Sequence, residues 1–109
     1  MKITDIPYCI TDWQQVEPVV HPGEAGTATW RERHFGDVRV RVIDYSPGYR
    51  ADHWCVKGHF IYCLEGELET ELKDGRRAIL RQGMSCQIAD GEEAHRSCAP
   101  RGARLFVVD

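Results

Sequence analysis

Gly48-Tyr-Arg-Ala-Asp-His-Trp-Cys-Val-Lys-Gly-His-Phe-Ile-Tyr-Cys-Leu-Glu-Gly66 places three metal-capable side chains, His53, Cys55 and His59, within seven residues. His53 and Cys55 are separated by a single residue. On an extended strand such a pair points to the same face and can close on one ion from one side. On a helix the two would diverge by about 200°, so the spacing is useful only in a strand. A fourth donor, His95, follows much later, after a second glycine-punctuated segment. A barrel that brings distant strands together would unite the four.

Outward from this stretch the composition narrows the options. With 109 residues the chain makes one domain. The formal net charge is −3 with the two signs interspersed, which gives no electrostatic reason to attract a phosphate backbone and excludes nucleic acid as a partner class. No run approaches the roughly 18 apolar residues of a membrane span, and the opening Met1-Lys-Ile-Thr-Asp-Ile-Pro7 has no apolar secretory core, so the expected location is the cytoplasm. Five cysteines, at 9, 55, 63, 86 and 98, form an odd set without a C-x-x-C pair and read as reduced thiols.

Residues 1–26 are interrupted by Pro7, Pro18, Pro22, Gly23 and Gly26 and read as an extended arm, with residues 27–109 as the barrel. Thr11-Asp12-Trp13-Gln14 has the form of a capping box for one short helical turn, and Trp13 is too large an apolar surface to leave in water. The arm is therefore expected to dock through Trp13 on the barrel or on a second subunit. From Thr27 onward, β-branched and aromatic runs are cut by turn residues every 8 to 12 positions or so. The expected strands are Thr27–Phe35, Val38–Tyr45, His59–Leu64, Leu68–Lys73, Arg76–Leu80, Met84–Ala89, His95–Cys98 and Arg104–Val108, with turns at Glu65-Gly66-Glu67 and Asp74-Gly75. In the second strand Val38, Val40 and Val42 face one way and Arg39 and Arg41 the other. In the third, Phe60, Tyr62 and Leu64 oppose His59, Ile61 and Cys63. A strand apolar on both faces is covered by the arm or by a partner, and a homodimer is expected. Many short strands without helices imply a closed all-β barrel.

These residues resemble the cupins, small double-stranded β-helix or jelly-roll barrels of the RmlC-like type. The first cupin motif runs from a glycine through His-x-His and a glutamate to a second glycine, and His53, Cys55, His59 and Gly66 fall on that spacing. The second is similar to Gly83, Ala89-Asp90-Gly91 and His95. Cys55 stands where the second histidine is usual, His59 where the glutamate is usual, and Ala89 where proline is common; one extra residue precedes His95. The resemblance covers roughly residues 37–108, and Asp52-His53-Trp54-Cys55 is similar to the DHCW-motif subgroup.

The resemblance implies a metal site built from His53, Cys55, His59 and His95. Imidazole and thiolate donors suit zinc, iron or nickel and not magnesium or calcium. A ligating Cys55 closes the shell at four, as in a structural site. A Cys55 turned aside leaves three histidines and open positions, which fits a dioxygenase or an isomerase or lyase acting on a small polar metabolite. A non-catalytic sensing barrel with a closed metal site is the alternative. Trp54, Tyr62, Cys63, Cys86 and Glu93 are candidate pocket residues. Arg39, Arg41 and Arg96 would suit an anionic substrate if their faces look inward; solvent is the commoner place for arginine, and only Arg96, next to His95, is promoted.

Overall fold

The computed structural model describes residues 3–109. The described residues form nine strands: β1 (Val19–Pro22), β2 (Thr27–Phe35), β3 (Val38–Tyr45), β4 (Tyr49–Arg50), β5 (His59–Leu72), β6 (Arg77–Arg81), β7 (Ser85–Ile88), β8 (His95–Ala99) and β9 (Ala103–Val108). All pairings are antiparallel, in the order β1-β2-β3-β9-β5-β8-β4, with β6 and β7 also paired to β5. A single 3-10 turn, Trp13–Gln15, precedes them. Its cap is Asp12, whose carboxylate accepts from the Gln14 amide at 3.1 Å. Thr11, the expected cap, instead accepts from Arg33 at 3.2 Å. No helix among the described residues is long and apolar enough to cross a membrane.

The expected turn at Glu65-Gly66-Glu67 is absent; β5 runs continuously through it for 14 residues. Its first half pairs with β9 and β7 and its second half with β8 and β6, so one strand belongs to both walls of the barrel. The register with β9 shifts between Cys63 and Glu65, a bulge that bends the strand. Gly66 adopts φ 76° there, and a Cβ on it would lie 2.4 Å from the Gly102 carbonyl oxygen. Only glycine supplies both that dihedral and that approach.

Side-chain alternation along β5 sets the interior. Ile61 and Cys63 point inward and join Ile43, Leu68, Leu105 and Val107 in the core, whereas Phe60 and Tyr62 are 53% and 45% exposed on the outer face. Tyr62 is therefore no pocket residue. Cys63 is fully buried and Cys86, the cross-strand partner of Ile61, packs against the core from a half-buried position. Both act as small apolar fillers, and burial pushes both thiols above the ordinary range. The arm lies on the outer face of the sheet. The Trp13 ring meets Phe106 edge-on at 6.3 Å, next to Val42, the cross-strand partner of Phe106, which is only 8% exposed. β1, from the same N-terminal region, adds an edge strand beside β2.

Gly66→Ala is expected to cost about 1–3 kcal/mol from the backbone conformation alone, more once the Gly102 carbonyl must shift. Thermal unfolding checks it. A melting temperature within a degree or so of the parent would show that the bend at Gly66 tolerates a Cβ.

Candidate functional site

The barrel encloses a cavity of about 270 Å³ whose wall includes His53, Cys55, His59 and His95. His59 opens β5 and His95 opens β8, where it pairs with Leu72 at the far end of β5. Their Nε2 atoms lie 3.0 Å apart. His95 is buried, and its Nδ1 lies 2.9 Å from the Glu93 carbonyl oxygen, which can only accept, so Nδ1 is the donor.

His59 is shaped by a buried ion cluster. The Asp109 carboxylate, 1% exposed, accepts from Arg39 Nε and Nη2 at 2.8 Å each and from Arg41 Nη2 at 3.1 Å. Its Oδ2 lies 3.7 Å from His59 Nδ1, an atom that is buried without a hydrogen-bond partner. Burial, the adjacent His95 and Arg41 push the His59 pKa down to about 4, so the imidazole is neutral near pH 7. Burial raises the Asp109 pKa, but the Arg39 hydrogen bond and the Arg41 charge outweigh it and hold the carboxyl below its usual range. The cluster is anchored at both levels, since Arg39 and Asp109 also exchange backbone hydrogen bonds at 2.6 and 2.9 Å.

His53 does not lie on a strand. Residues 51–58 form an irregular segment whose one ladder contact is a bridge at Cys55, which exchanges backbone hydrogen bonds with His95 at 2.7 and 2.9 Å. The shared-face argument for His53 and Cys55 therefore fails in its mechanism. The segment is tied instead by Gly58, whose amide donates to Asp90 Oδ1 at 2.6 Å and where a Cβ would collide with the Asp90 amide. The His53 side chain is 73% exposed at the cavity mouth, with Nδ1 2.7 Å from the Asp52 carboxylate. The Cys55 thiol lies 3.9 Å from the Lys57 carbonyl oxygen. Among the described residues, no three His, Cys, Asp or Glu donors are already gathered tightly enough to hold one ion.

The other candidates divide. The Glu93 side chain is an external partner of Arg76 at 2.5 Å, and only its backbone serves the site. Glu92 lies with it on the outside, beside Lys73 and Asp74. Trp54 is not part of the cavity wall; its ring carries the Arg96 guanidinium at 4.6 Å, and Arg96 reaches both the cavity and Glu71. Arg39 and Arg41, left unpromoted on the sequence alone, point into the barrel. The signal was present: β3 alternates Arg39, Arg41, Ile43 and Tyr45 against Val38, Val40 and Val42. The first set contains Ile43 and Tyr45, and it is the inner one.

No family model matches the chain, and no curated protein does. Solved structures match its fold. An RmlC-like cupin from Shewanella frigidimarina superposes with a TM-score of 0.72 at 18% identity, covering 96% of this chain and 92% of that one. A predicted oxalate decarboxylase from Thermotoga maritima gives 0.78 at 14%, covering 92% and 96%. The FeII form of HppE gives 0.77 at 16%, covering 98% of this chain and 62% of that one. The chain is a small cupin-fold barrel. Its interior joins facing imidazoles to a buried arginine–aspartate cluster.

Asp109→Asn should destabilise the protein by roughly 3 kcal/mol or more, because it leaves two arginines facing a neutral amide inside the barrel. Urea denaturation measures this. A variant within about 0.5 kcal/mol of the parent would show that the cluster contributes little.

Proposed function

We propose that the barrel is a metal-dependent small-molecule site, with His59 and His95 as the anchoring ligands of a divalent transition metal, zinc, iron or nickel. One observation carries the reading. Two of the three candidate histidines pair Nδ1 with an oxygen, Asp52 for His53 and the Glu93 carbonyl for His95, and His59 Nδ1 stands 3.7 Å from Asp109 without a hydrogen bond. Oxygen acceptors at Nδ1 favour the tautomer whose lone pair is on Nε2, the arrangement that supports metal-bound histidines. That tautomer on both His59 and His95 sets two lone pairs facing each other across 3.0 Å. With both protons on Nδ1 a shared cation would relieve that contact, whereas a proton on His59 Nε2 donated to His95 is the metal-free alternative. The same tautomer turns the orphaned His59 Nδ1 into a donor toward Asp109. The iron(II) in the structurally similar HppE accords with this donor set.

His53 and Cys55, on the same cavity wall, are the residues available to complete the shell. Bound there, the metal would act as a Lewis acid toward a small ligand or dioxygen. The chain's own residues hold His59 neutral, set an oxygen acceptor at Nδ1 of His53 and His95, and line the site with Ile61 and Leu105. Space beside the imidazoles favours an open coordination shell, hence a catalytic role of dioxygenase or isomerase and lyase type on a small polar metabolite. The second reading, a closed non-catalytic site, is supported by the two-way backbone pairing that fixes Cys55 beside His95.

Protein purified without added metal should contain about one transition-metal ion per chain by elemental analysis. His59→Ala and His95→Ala should each lose it, with metal affinity falling about 10-fold to 100-fold or more. Cys55→Ser separates the readings: unchanged metal content supports the open site, and loss supports the closed one. Native protein that neither carries metal nor binds added zinc would overturn both.

We also propose that the exposed apolar strip of Phe60 and Tyr62 is covered by a second copy of the chain. Light scattering should give a dimer at micromolar concentration, and Tyr62→Glu should shift it toward monomer. A monomeric parent removes this proposal.

A further inference from the structure

We infer that the barrel selects a small organic carboxylate, and that Arg41, with Lys57 and Tyr45, forms the subsite for its anionic group. This deepens the reading of the barrel interior as the ligand site and rests on it.

Arg41 is a costly residue to place where it is. It is 6% exposed, on the inner face of β3, with its guanidinium 4.5 Å above the Trp30 ring. Only its Nη2 has a hydrogen-bond partner among the described residues, the Asp109 carboxylate, and its buried Nε has none. Asp109 is already shared, since Arg39 takes both of its oxygens. A guanidinium offers five donors, so Arg41 holds unused hydrogen-bonding capacity inside a cavity. Burial and the neighbouring Arg39 depress its pKa below the ordinary value, which means that its charge is under-compensated as the site stands.

Arg39, Arg41 and Lys57 contribute three positive charges to the cavity wall, and Asp109 and Glu32, the carboxylates on Arg39, with Asp52 on His53 at the mouth, supply three negative ones. Arg96 has its own partner in Glu71. The formal charges balance, so it is the unused donors of Arg41, sharing one carboxylate with Arg39, that mark the place for an anion. Lys57 lies at the exposed mouth, where its ammonium can draw an anion inward. Deeper in, burial and the stacked Tyr49 keep the Tyr45 phenol protonated far above neutral pH, so it can donate to an oxygen anion and cannot repel one. Planar, forked recognition by Arg41 favours a carboxylate, and about 270 Å³, just under the roughly 300–1,000 Å³ usual for ligand sites, limits it to a small metabolite.

The test uses malonate and its uncharged counterpart malonamide as probes, titrated calorimetrically into metal-depleted full-length protein at constant ionic strength. Malonate should bind about 10-fold or more tightly than malonamide. Arg41→Met should remove that discrimination, and Arg41→Lys should restore only part of it, because a point charge lacks the fork. Because Arg41 is buried and its replacement can disturb folding, the side-chain Nε–H resonance of Arg41 in the unmodified protein is followed as well; malonate should shift it and malonamide should not. Equal binding of the two probes, or an unmoved Arg41 resonance, overturns the subsite. Metal content is measured on the same preparations. Discrimination by a chain that never takes up metal would keep the subsite and remove the metal proposal, whereas a metal-binding chain indifferent to probe charge would do the reverse.

Discussion

The structure depends on the bend in β5. His59 is the first residue of that strand, and His95 pairs with Leu72, the last. A straight strand of 14 residues would hold its ends roughly 43 Å apart, yet the two imidazoles meet at 3.0 Å. Side chains cannot make up that difference; the backbone must curl. The bulge after Cys63 and the left-handed Gly66 supply the curl, and they let β5 leave one wall of the barrel and enter the other. The same bend that closes the core around Cys63, Leu68 and Leu105 therefore creates the site. Fold and site share one constraint.

Electrostatics inside the barrel follow from what that closure traps. Two arginines, an aspartate and two histidines share a low-dielectric space, and each one's state is set by the others. Asp109 stays ionised because Arg39 holds it bidentately and Arg41 adds its charge. An ionised Asp109 in turn favours a proton on His59 Nδ1, and the Glu93 carbonyl fixes the proton of His95. With both protons on Nδ1, no proton lies between the two Nε2 atoms; with the His59 proton on Nε2, it is donated to His95. Burial, His95 and Arg41 disfavour a doubly protonated His59, so the pair holds no extra proton at neutral pH. In the proposed metal site, a divalent ion would attract both Nε2 lone pairs at once.

Much of this was legible in the sequence. Glycine and Asp-Gly punctuation with period-2 runs located β2 and β3 to the residue and β6 to β9 to within one or two, and the resemblance in the glycine and histidine spacing named the fold. His53, Cys55, His59 and His95 read as one donor set, of which His59 and His95 are the two whose imidazoles meet. Three features were not legible, each for a physical reason. Gly66 reads as a turn because glycine at positive φ ends most strands, whereas here it bends one that continues on new partners. His53 and Cys55 fit a strand by spacing, but Gly58 and Asp90 tie that segment into an irregular loop, and one bridge at Cys55 is all the pairing it has. The faces of β3 were inverted because valine is expected inside and arginine outside; alternation gives two faces and does not say which is inner.

That inversion explains the N-terminal arm. A strand that turns Arg39 and Arg41 inward must turn Val38, Val40 and Val42 outward, since the side-chain period is two. Left bare, those valines and Phe106 would form an apolar patch on the outer wall. Trp13, seated on Phe106, and the arm that carries it cover that wall, and Val42 is buried although it faces away from the barrel interior. The cationic lining and the external cover are thus two consequences of one alternation. A barrel with an apolar lining could dispense with the arm. One that keeps arginines inside for use on a ligand must carry a cover for the hydrophobic residues displaced to its surface.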